Sequence, residues 1–186
     1  MMFEHQITRR RVLAAYPIWL ASAISIARAA EPEPPEVTIV EFNDAGQKTG
    51  VVHVKKIVHT EAEWRKILTL QQLYVARKGN SDLAFYGSYF KLHDPGLYRC
   101  ICCGTAAFSA DDKFDSPSGF ACFRSPIAEE NIRTRPSSEE GPERIEILCK
   151  RCDAHLGYLY NDGPEPAHTR YCVNESSLKF VPRSKA

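Results

Sequence analysis

Four cysteines constrain this chain more than any other feature. Cys100 and Cys103 form one C-x-x-C pair, Cys149 and Cys152 a second, and each pair is closed by a turn residue, Gly104 or Asp153. A tight turn lets both thiolates of a pair face one ion. Two such knuckles complete the tetrahedral four-cysteine set that holds structural Zn2+. The interval between the pairs exceeds that of a compact zinc finger, so the knuckles are expected on separate hairpins fastened together by the metal. Two other readings use the same residues. One is a pair of local disulfides, which oxidising compartments preserve. The other is a redox C-x-x-C, although no thioredoxin-like βαβ pattern surrounds either pair.

The compartment is suggested by the first 29 residues. Thr8 to Leu13 carries paired arginines, Arg9 and Arg10, followed by Arg11 and apolar residues; Leu13 to Ile26 is apolar but too short to span a bilayer; Ala27-Arg28-Ala29 is an A-x-A cleavage site. The expectation is a twin-arginine signal peptide over 1–29 and export to a bacterial periplasm, with an ordinary secretory signal as the alternative. Pro17 in mid-run argues against a buried N-terminal helix. Cleavage removes four Arg and one Glu, taking the formal charge from +1 to −2. That balance leaves no electrostatic footprint for nucleic acid. No apolar run reaches the ~18 residues a stable membrane insertion needs.

The rest of the chain suits one domain. Residues 30–36 (AEPEPPE) read as a Pro-rich spacer. Residues 37–58 alternate apolar and polar around Asp44 to Gly46, which predicts a β-hairpin extension. Residues 59–186 are then the main domain. Thr60 with Glu63 is a capping box opening a short helix with Trp64, Ile67 and Leu68 on one face, and a second short helix is expected around Gln71 to Ala76. Beyond the turn at Asp94-Pro95-Gly96, strands are expected over Leu97 to Ile101, Phe120 to Phe123, Arg144 to Leu148, Leu156 to Tyr160, Arg170 to Val173 and Leu178 to Val181. Pro126 to Pro142 reads as a polar surface loop. The fold class is mainly antiparallel β with a few short helices on the N-terminal side. His53, His59, His93 and His168 lack metal-ligand spacing and read as surface residues, and Trp64 reads as a packing anchor.

Setting the four knuckle cysteines aside leaves Cys102, Cys122 and Cys172. An odd remainder in an exported protein points to a reactive thiol. Arg170, Cys172 and Asn174 alternate, so on a strand they share one side. A guanidinium there lowers a thiol pKa, and an amide there can hydrogen-bond a substrate. Against this, a single cysteine on a short strand is more often inert core.

These residues occur in a recognisable order. Trp64 to Pro182 resembles the type B methionine sulfoxide reductases, which reduce methionine-R-sulfoxide in proteins. The matching stretches begin with Gly96-Leu97-Tyr98-Arg99-Cys100, Cys103-Gly104 and Lys113-Phe114-Asp115-Ser116. They continue through Cys149 to Gly157, Asp162-Gly163-Pro164, Arg170 to Asn174, and Ser177 to Phe180. The resemblance implies a small antiparallel β-barrel-like domain of the β-tent, Mss4-like kind, with a structural Zn2+ on Cys100, Cys103, Cys149 and Cys152. It places the nucleophile at Cys172, pocket-shaping catalytic residues at Arg170 and Asn174, and a further catalytic residue at His155, the first histidine of the family's His-Leu-Gly-His stretch. It also implies oxidised methionine as substrate, a thioredoxin-like reductant, and a monomer.

The chain departs from the family at the pocket. Tyr158 stands where the family has the histidine beside the sulfoxide oxygen, and Phe120 where it has the tryptophan cradling the substrate methyl. Ser118 occupies the position of a common resolving cysteine, and Gly79-Asn80-Ser81 replaces Gly-Thr-Glu. Cys122, four residues beyond Ser118, faces the same side of a strand and is the candidate resolving thiol. Two functions follow: a reductase with an altered pocket, or a zinc-bound thiol-redox or binding module of the same fold.

Overall fold

The computed structural model describes residues 33–137 and 144–183, all within the compact unit Glu33–Ala186. The expected signal peptide, the first part of the spacer and the end of the Pro126 to Pro142 segment lie outside the described residues.

Two antiparallel strands, β1 (Glu36–Phe42) and β2 (Lys48–Lys55), pair around a turn in which the Asn43 backbone and side chain both bond Gln47. Helix α1 (Glu61–Ile67) starts at the Thr60 capping box; a second box, Thr69 with Gln72, starts α2 (Leu70–Gln72), which widens into a π turn over Leu73–Arg77. Trp64, Leu68 and Leu73 pack together, but Ile67 is 55% exposed. The helix is too short for a broad apolar stripe. Its buried contact is the i, i+4 pair Trp64 and Leu68, which leaves Ile67 in solvent.

Nine further strands follow: β3 (Gly96–Cys100), β4 (Ala106–Ser109), β5 (Lys113–Phe114), β6 (Ala121–Phe123), β7 (Ile132–Pro136), β8 (Ile145–Cys149), β9 (His155–Tyr160), β10 (Arg170–Val173) and β11 (Leu178–Pro182). They form a three-stranded sheet in the order β11-β3-β4 and a six-stranded sheet in the order β5-β6-β10-β9-β8-β7. Every pairing is antiparallel. The class is mainly antiparallel β with few short helices.

The sheets meet through aromatic rings. Phe108 of the small sheet stacks on Phe123 of the large one at 4.7 Å, and Tyr98 meets Phe123 edge-on at 4.9 Å. Each such pair contributes ~0.5–1.5 kcal/mol beyond its area burial. Tyr171, Ala121, Val173, Ile147 and Leu156 complete this core.

The six expected strands form, with ends within about one residue of their expected positions. The polar-loop reading of Pro126 to Pro142 is corrected. A 3-10 turn at Glu129–Asn131 leads into β7, which pairs with β8 at the sheet edge. An edge strand tolerates charge on its open side and a proline at its end, so Arg133, Arg135 and Pro136 disguise it as loop. Asn131 within that segment is fully buried. Its Oδ1 accepts from the Val40 N–H, and its Nδ2 donates to the carbonyls of Val40 and Ala106. One side chain thus docks the hairpin edge onto the body of the domain.

Candidate active site and metal centre

The two knuckles are built alike. In the first, Gly104 N–H bonds the Cys100 carbonyl, with Gly104 at φ +76°; in the second, Asp153 N–H bonds the Cys149 carbonyl, with Asp153 at φ +54°. Each turn ends in a left-handed residue, so both sulfurs of a pair point the same way. The sulfurs of Cys100, Cys103, Cys149 and Cys152 all lie within 4.8 Å of one another, with Cys100 to Cys152 at 3.6 Å and Cys103 to Cys149 at 3.4 Å. Four sulfurs held ~2.3 Å from a tetrahedral ion sit ~3.8 Å apart. The cluster therefore fits a metal ion. The cysteines are free thiols, and both of these short sulfur contacts join one knuckle to the other, as a shared ion requires.

The N-terminal hairpin covers this cluster. Arg99 beside the first knuckle donates to the Phe42 carbonyl and to Asp44, and Arg151 in the second offers its carbonyl to the Ile57 N–H. Asp153 accepts from both Lys56 and Arg133.

The second cluster is a straight row across the large sheet. Direct cross-strand partners run Phe114 (β5), Cys122 (β6), Cys172 (β10), Tyr158 (β9), Glu146 (β8) and Arg135 (β7). Directly opposed residues of antiparallel strands project from the same face. Their neighbours one position along, such as Phe123, Tyr171, Ala121 and Val173, face the aromatic core. One face therefore belongs to the aromatic core, and the other carries the row of thiol, phenol, carboxylate and guanidinium groups.

His155 belongs to that second face because of a bulge. Strict alternation puts residues 155 and 158 on opposite faces. A register shift after Ile147 pairs Leu148 with His155 and gives β9 one extra residue, returning His155 to the side of Glu146 and Tyr158. The imidazole lies 5.1 Å from the Tyr158 ring, and its Nδ1 is 2.8 Å from Glu146 Oε1. The other Glu146 oxygen accepts from Arg135 Nε at 2.5 Å. Burial opposes ionisation of Glu146, but the bonds from Arg135 and His155 outweigh it and hold the carboxyl below the usual range. An ionised carboxylate only accepts, so His155 Nδ1 carries the proton of this bond.

Cys172 is partly exposed, whereas Cys122 beside it is fully buried. The Ser118 hydroxyl touches both sulfurs, at 3.5 Å for Cys122 and 3.9 Å for Cys172, and itself receives the Ser116 hydroxyl at 3.1 Å. The two thiols act as one coupled acid. Hydrogen bonding from Cys172, with help from Ser118, Ser116 and Arg170, lowers Cys122 to about 6. The same shared proton, together with burial, raises Cys172. One thiolate is thus available at neutral pH, on a pair with one sulfur open to solvent. Arg170 is held over the Tyr160 ring at 4.2 Å and clamped by both oxygens of Asp162 at 2.7 and 2.9 Å.

An open cleft of about 530 Å3 adjoins this pair, walled by Ser116, Ser118, Asp115, Asp162, Pro164 and Arg170. Phe120 lines a separate, much narrower cavity with Leu83, Tyr86, Phe90 and Val173. Asn174 is 2% exposed, and its amide is occupied by the Asp82 N–H and the Leu156 carbonyl. It anchors the 79–90 segment instead of presenting a free amide to the cleft. The four surface histidines are exposed and Trp64 is buried.

Sequence reasoning missed Glu146 and the bridging role of Ser118. A Glu inside an otherwise apolar strand, Ile145-Glu146-Ile147-Leu148, was the available signal for the first.

A family model described as SelR domain matches residues 68–182. A peptide methionine sulfoxide reductase MsrB of Pseudomonas aeruginosa (strain UCBPP-PA14) is 47% identical over 120 residues, which cover 64% of this chain and 91% of the relative. A protein of the same name from Herminiimonas arsenicoxydans is 39% identical over 126 residues, 68% of this chain and 92% of the relative. The mitochondrial methionine-R-sulfoxide reductase B3 of Mus musculus is 42% identical over 127 residues, 68% of this chain and 50% of the relative. Residues 33–67, with the hairpin and α1, precede the matched segment.

Proposed function

The chain belongs to the SelR family of type B methionine sulfoxide reductases, and we propose on that footing that it reduces methionine-R-sulfoxide in polypeptides through the Cys172 and Cys122 pair. The observation that carries the reading is their register: the two cysteines are direct cross-strand partners. Opposed residues of antiparallel strands have Cα atoms ~4.5–5.5 Å apart. That lies inside the ~4.4–6.8 Å range a disulfide accepts, so the bond needs no backbone rearrangement.

The exposed sulfur, Cys172, passes its proton to the neighbouring Cys122 thiolate and, now itself the thiolate of the pair, attacks the sulfoxide sulfur. The oxygen passes to Cys172 with one proton, methionine leaves, and Cys172 is left as a sulfenic acid. The Cys122 thiol then attacks Cys172 Sγ, the S–O bond breaks, and water departs with the Cys122 proton. A dithiol reductant of the thioredoxin-like kind returns the disulfide to two thiols. Arg170, fixed by Asp162, stabilises thiolate charge on the pair. Tyr158, abreast of Cys172, offers its O–H to the sulfoxide oxygen, while Phe120 lies in the narrower cavity beside Val173, outside the open cleft.

We assign zinc to the four knuckle cysteines. The support is an all-sulfur donor set at tetrahedral spacing. Bound there, zinc contributes folding free energy, not chemistry. Export to the periplasm by the twin-arginine route belongs to the same reading. Its support is the Arg9 and Arg10 pair with the apolar run and cleavage site behind it.

The test is a thioredoxin-coupled assay on methionine-R-sulfoxide, free and in a peptide. Wild type is expected to turn over. Cys172→Ser abolishes product, and Cys122→Ser releases about one methionine per chain and then stops. Repeated turnover by Cys122→Ser with the same reductant removes Cys122 from the mechanism. A wild type without product, folded and metal-loaded, refutes the reductase reading.

A further inference from the structure

We propose that Glu146 is a positioning residue of this reductase: it fixes the tautomer of His155 and strengthens its basicity, so that protonated His155 is the acid whose proton ends on the sulfoxide oxygen. The inference rests on the reaction proposed above and names a source for the proton that reaction consumes.

The geometry has three parts. Glu146 stands two strands from Cys172 in the same cross-strand row, with Tyr158 between them. The bulge in β9 brings His155 onto that face, against the Tyr158 ring and within 2.8 Å of Glu146. Arg135 holds the second carboxylate oxygen, so Glu146 has one orientation. A carboxylate on Nδ1–H sets the imidazole's other nitrogen, Nε2, as the site that takes up and gives off a proton.

The placement is costly for a purely structural role. The Glu146 side chain is 9% exposed and His155 3%, whereas Arg135 is 53% exposed. Desolvating a carboxylate is expensive, and apolar replacements of such pairs are often neutral or better for stability. Chemistry supplies the benefit. Tyr158, abreast of the nucleophile, has an unperturbed phenol pKa of ~10, which makes it a poor proton source at neutral pH. Histidine starts at ~6.5, and an opposite charge within hydrogen-bonding distance raises it by ~1–3 units.

Among the described residues, the charged or titratable groups around His155 include Glu146, Arg135 behind it on β7, Tyr158 on its own strand, Cys172 across from Tyr158, and Arg144, whose guanidinium lies 5.5 Å from the Tyr158 ring centre. Glu146 is the anion among these that bonds the imidazole directly.

In the reaction, Cys172 Sγ bonds to oxygen as the methionine S–O bond breaks. The proton leaves His155 and stays on that oxygen as the sulfenic O–H. His155 recovers a proton from solvent, and no further co-reactant is needed.

The experiment pairs two readouts on the zinc-loaded protein with Glu146→Gln and Glu146→Asp. Glutamine keeps the acceptor and removes the charge. The His155 titration, followed by NMR of its ring signals, is expected to fall by at least ~1 pH unit in Glu146→Gln. The alkaline limb of kcat/KM for a methionine-R-sulfoxide peptide should move down with it, and Glu146→Asp should recover part of both shifts. A titration that moves while the limb stays shows that His155 is not the acid. A titration that does not move shows that Glu146 does not act on His155. Either result overturns the proposal. A wild type without turnover refutes the reductase function itself, while the titration still decides the Glu146 and His155 pair.

Discussion

Gly157 holds β9 against β10 at the nucleophile, and a methyl group there should disrupt both fold and chemistry. A Cβ at Gly157 would lie 2.1 Å from the Cys172 carbonyl oxygen and 2.8 Å from Val173 Cα, and the backbone sits at φ +155°. Ordinary C···O contacts are ~3.3 Å or longer, so relief demands a shift of about 1 Å between the strands. The obstructing atoms are backbone, so no side chain can swing away. Overpacking costs ~1–3 kcal/mol, and a strained backbone position adds ~1–3 kcal/mol. We expect Gly157→Ala to lose ~3–5 kcal/mol, which lowers Tm by ~6–20 °C for a domain of this size. The same displacement moves Cys172 relative to Tyr158. A misplacement of ~1 Å costs ~100-fold in rate, and kcat/KM should fall by that order. Thermal unfolding by circular dichroism and the coupled reductase assay read the two effects. A variant within ~1 kcal/mol of wild type and fully active would show that the β9–β10 approach is slack, and the reasoning fails.

Purified protein should carry one zinc per chain, and Cys149→Ser should lose both the metal and much of the cooperative unfolding transition; metal analysis finding none would refute the assignment. Tyr158→His combined with Phe120→Trp should raise kcat/KM by at least ~10-fold, the low end of what an added imidazole donor beside the sulfoxide oxygen contributes; no gain in a folded, metal-loaded variant would mean that the oxygen is already served without position 158. Changing Arg9 and Arg10 to Lys should leave protein in the cytoplasm, and unimpaired export would indicate the general secretory route. Asp153 is a pH marker: burial opposes its charge, but bonds from Lys56 and Arg133 prevail and lower its carboxyl pKa. A depressed folded pKa adds stability above the unfolded value of ~3.9 that is lost as pH falls through the folded value. Asp153→Asn should therefore flatten the acid limb of a stability profile, and an unchanged limb would count against the bridge.

The strands that bury one face were legible because their alternation survives in the sequence, as in Arg170 to Val173 and Leu178 to Val181. The knuckles were legible because ligand chemistry dictates spacing. β7 was not, since an edge strand carries charge where a central one carries apolar side chains. The side of His155 was not, because it depends on a register shift after Ile147, on the partner strand, that β9 itself does not announce. Asn131 escaped for a related reason: one amide substituting for a strand edge is a tertiary event with no local pattern. At the candidate site, Arg170 and Cys172 could be placed on one side from spacing alone. That Cys122 faces Cys172 directly, and not one residue off, needed the pairing of β6 with β10.

The hairpin's seat implies an order of assembly. β1 and β2 are synthesised ahead of every residue they rest on: Asn131 under Val40, Arg99 against Phe42 and Asp44, and the second knuckle under Lys56 and Ile57. A two-stranded hairpin alone is marginal in water. It has nothing to dock on until residues around 150 have emerged and the two knuckles have closed. The first described part of the domain to be made is therefore the last to settle, and its arrival marks the completion of the fold.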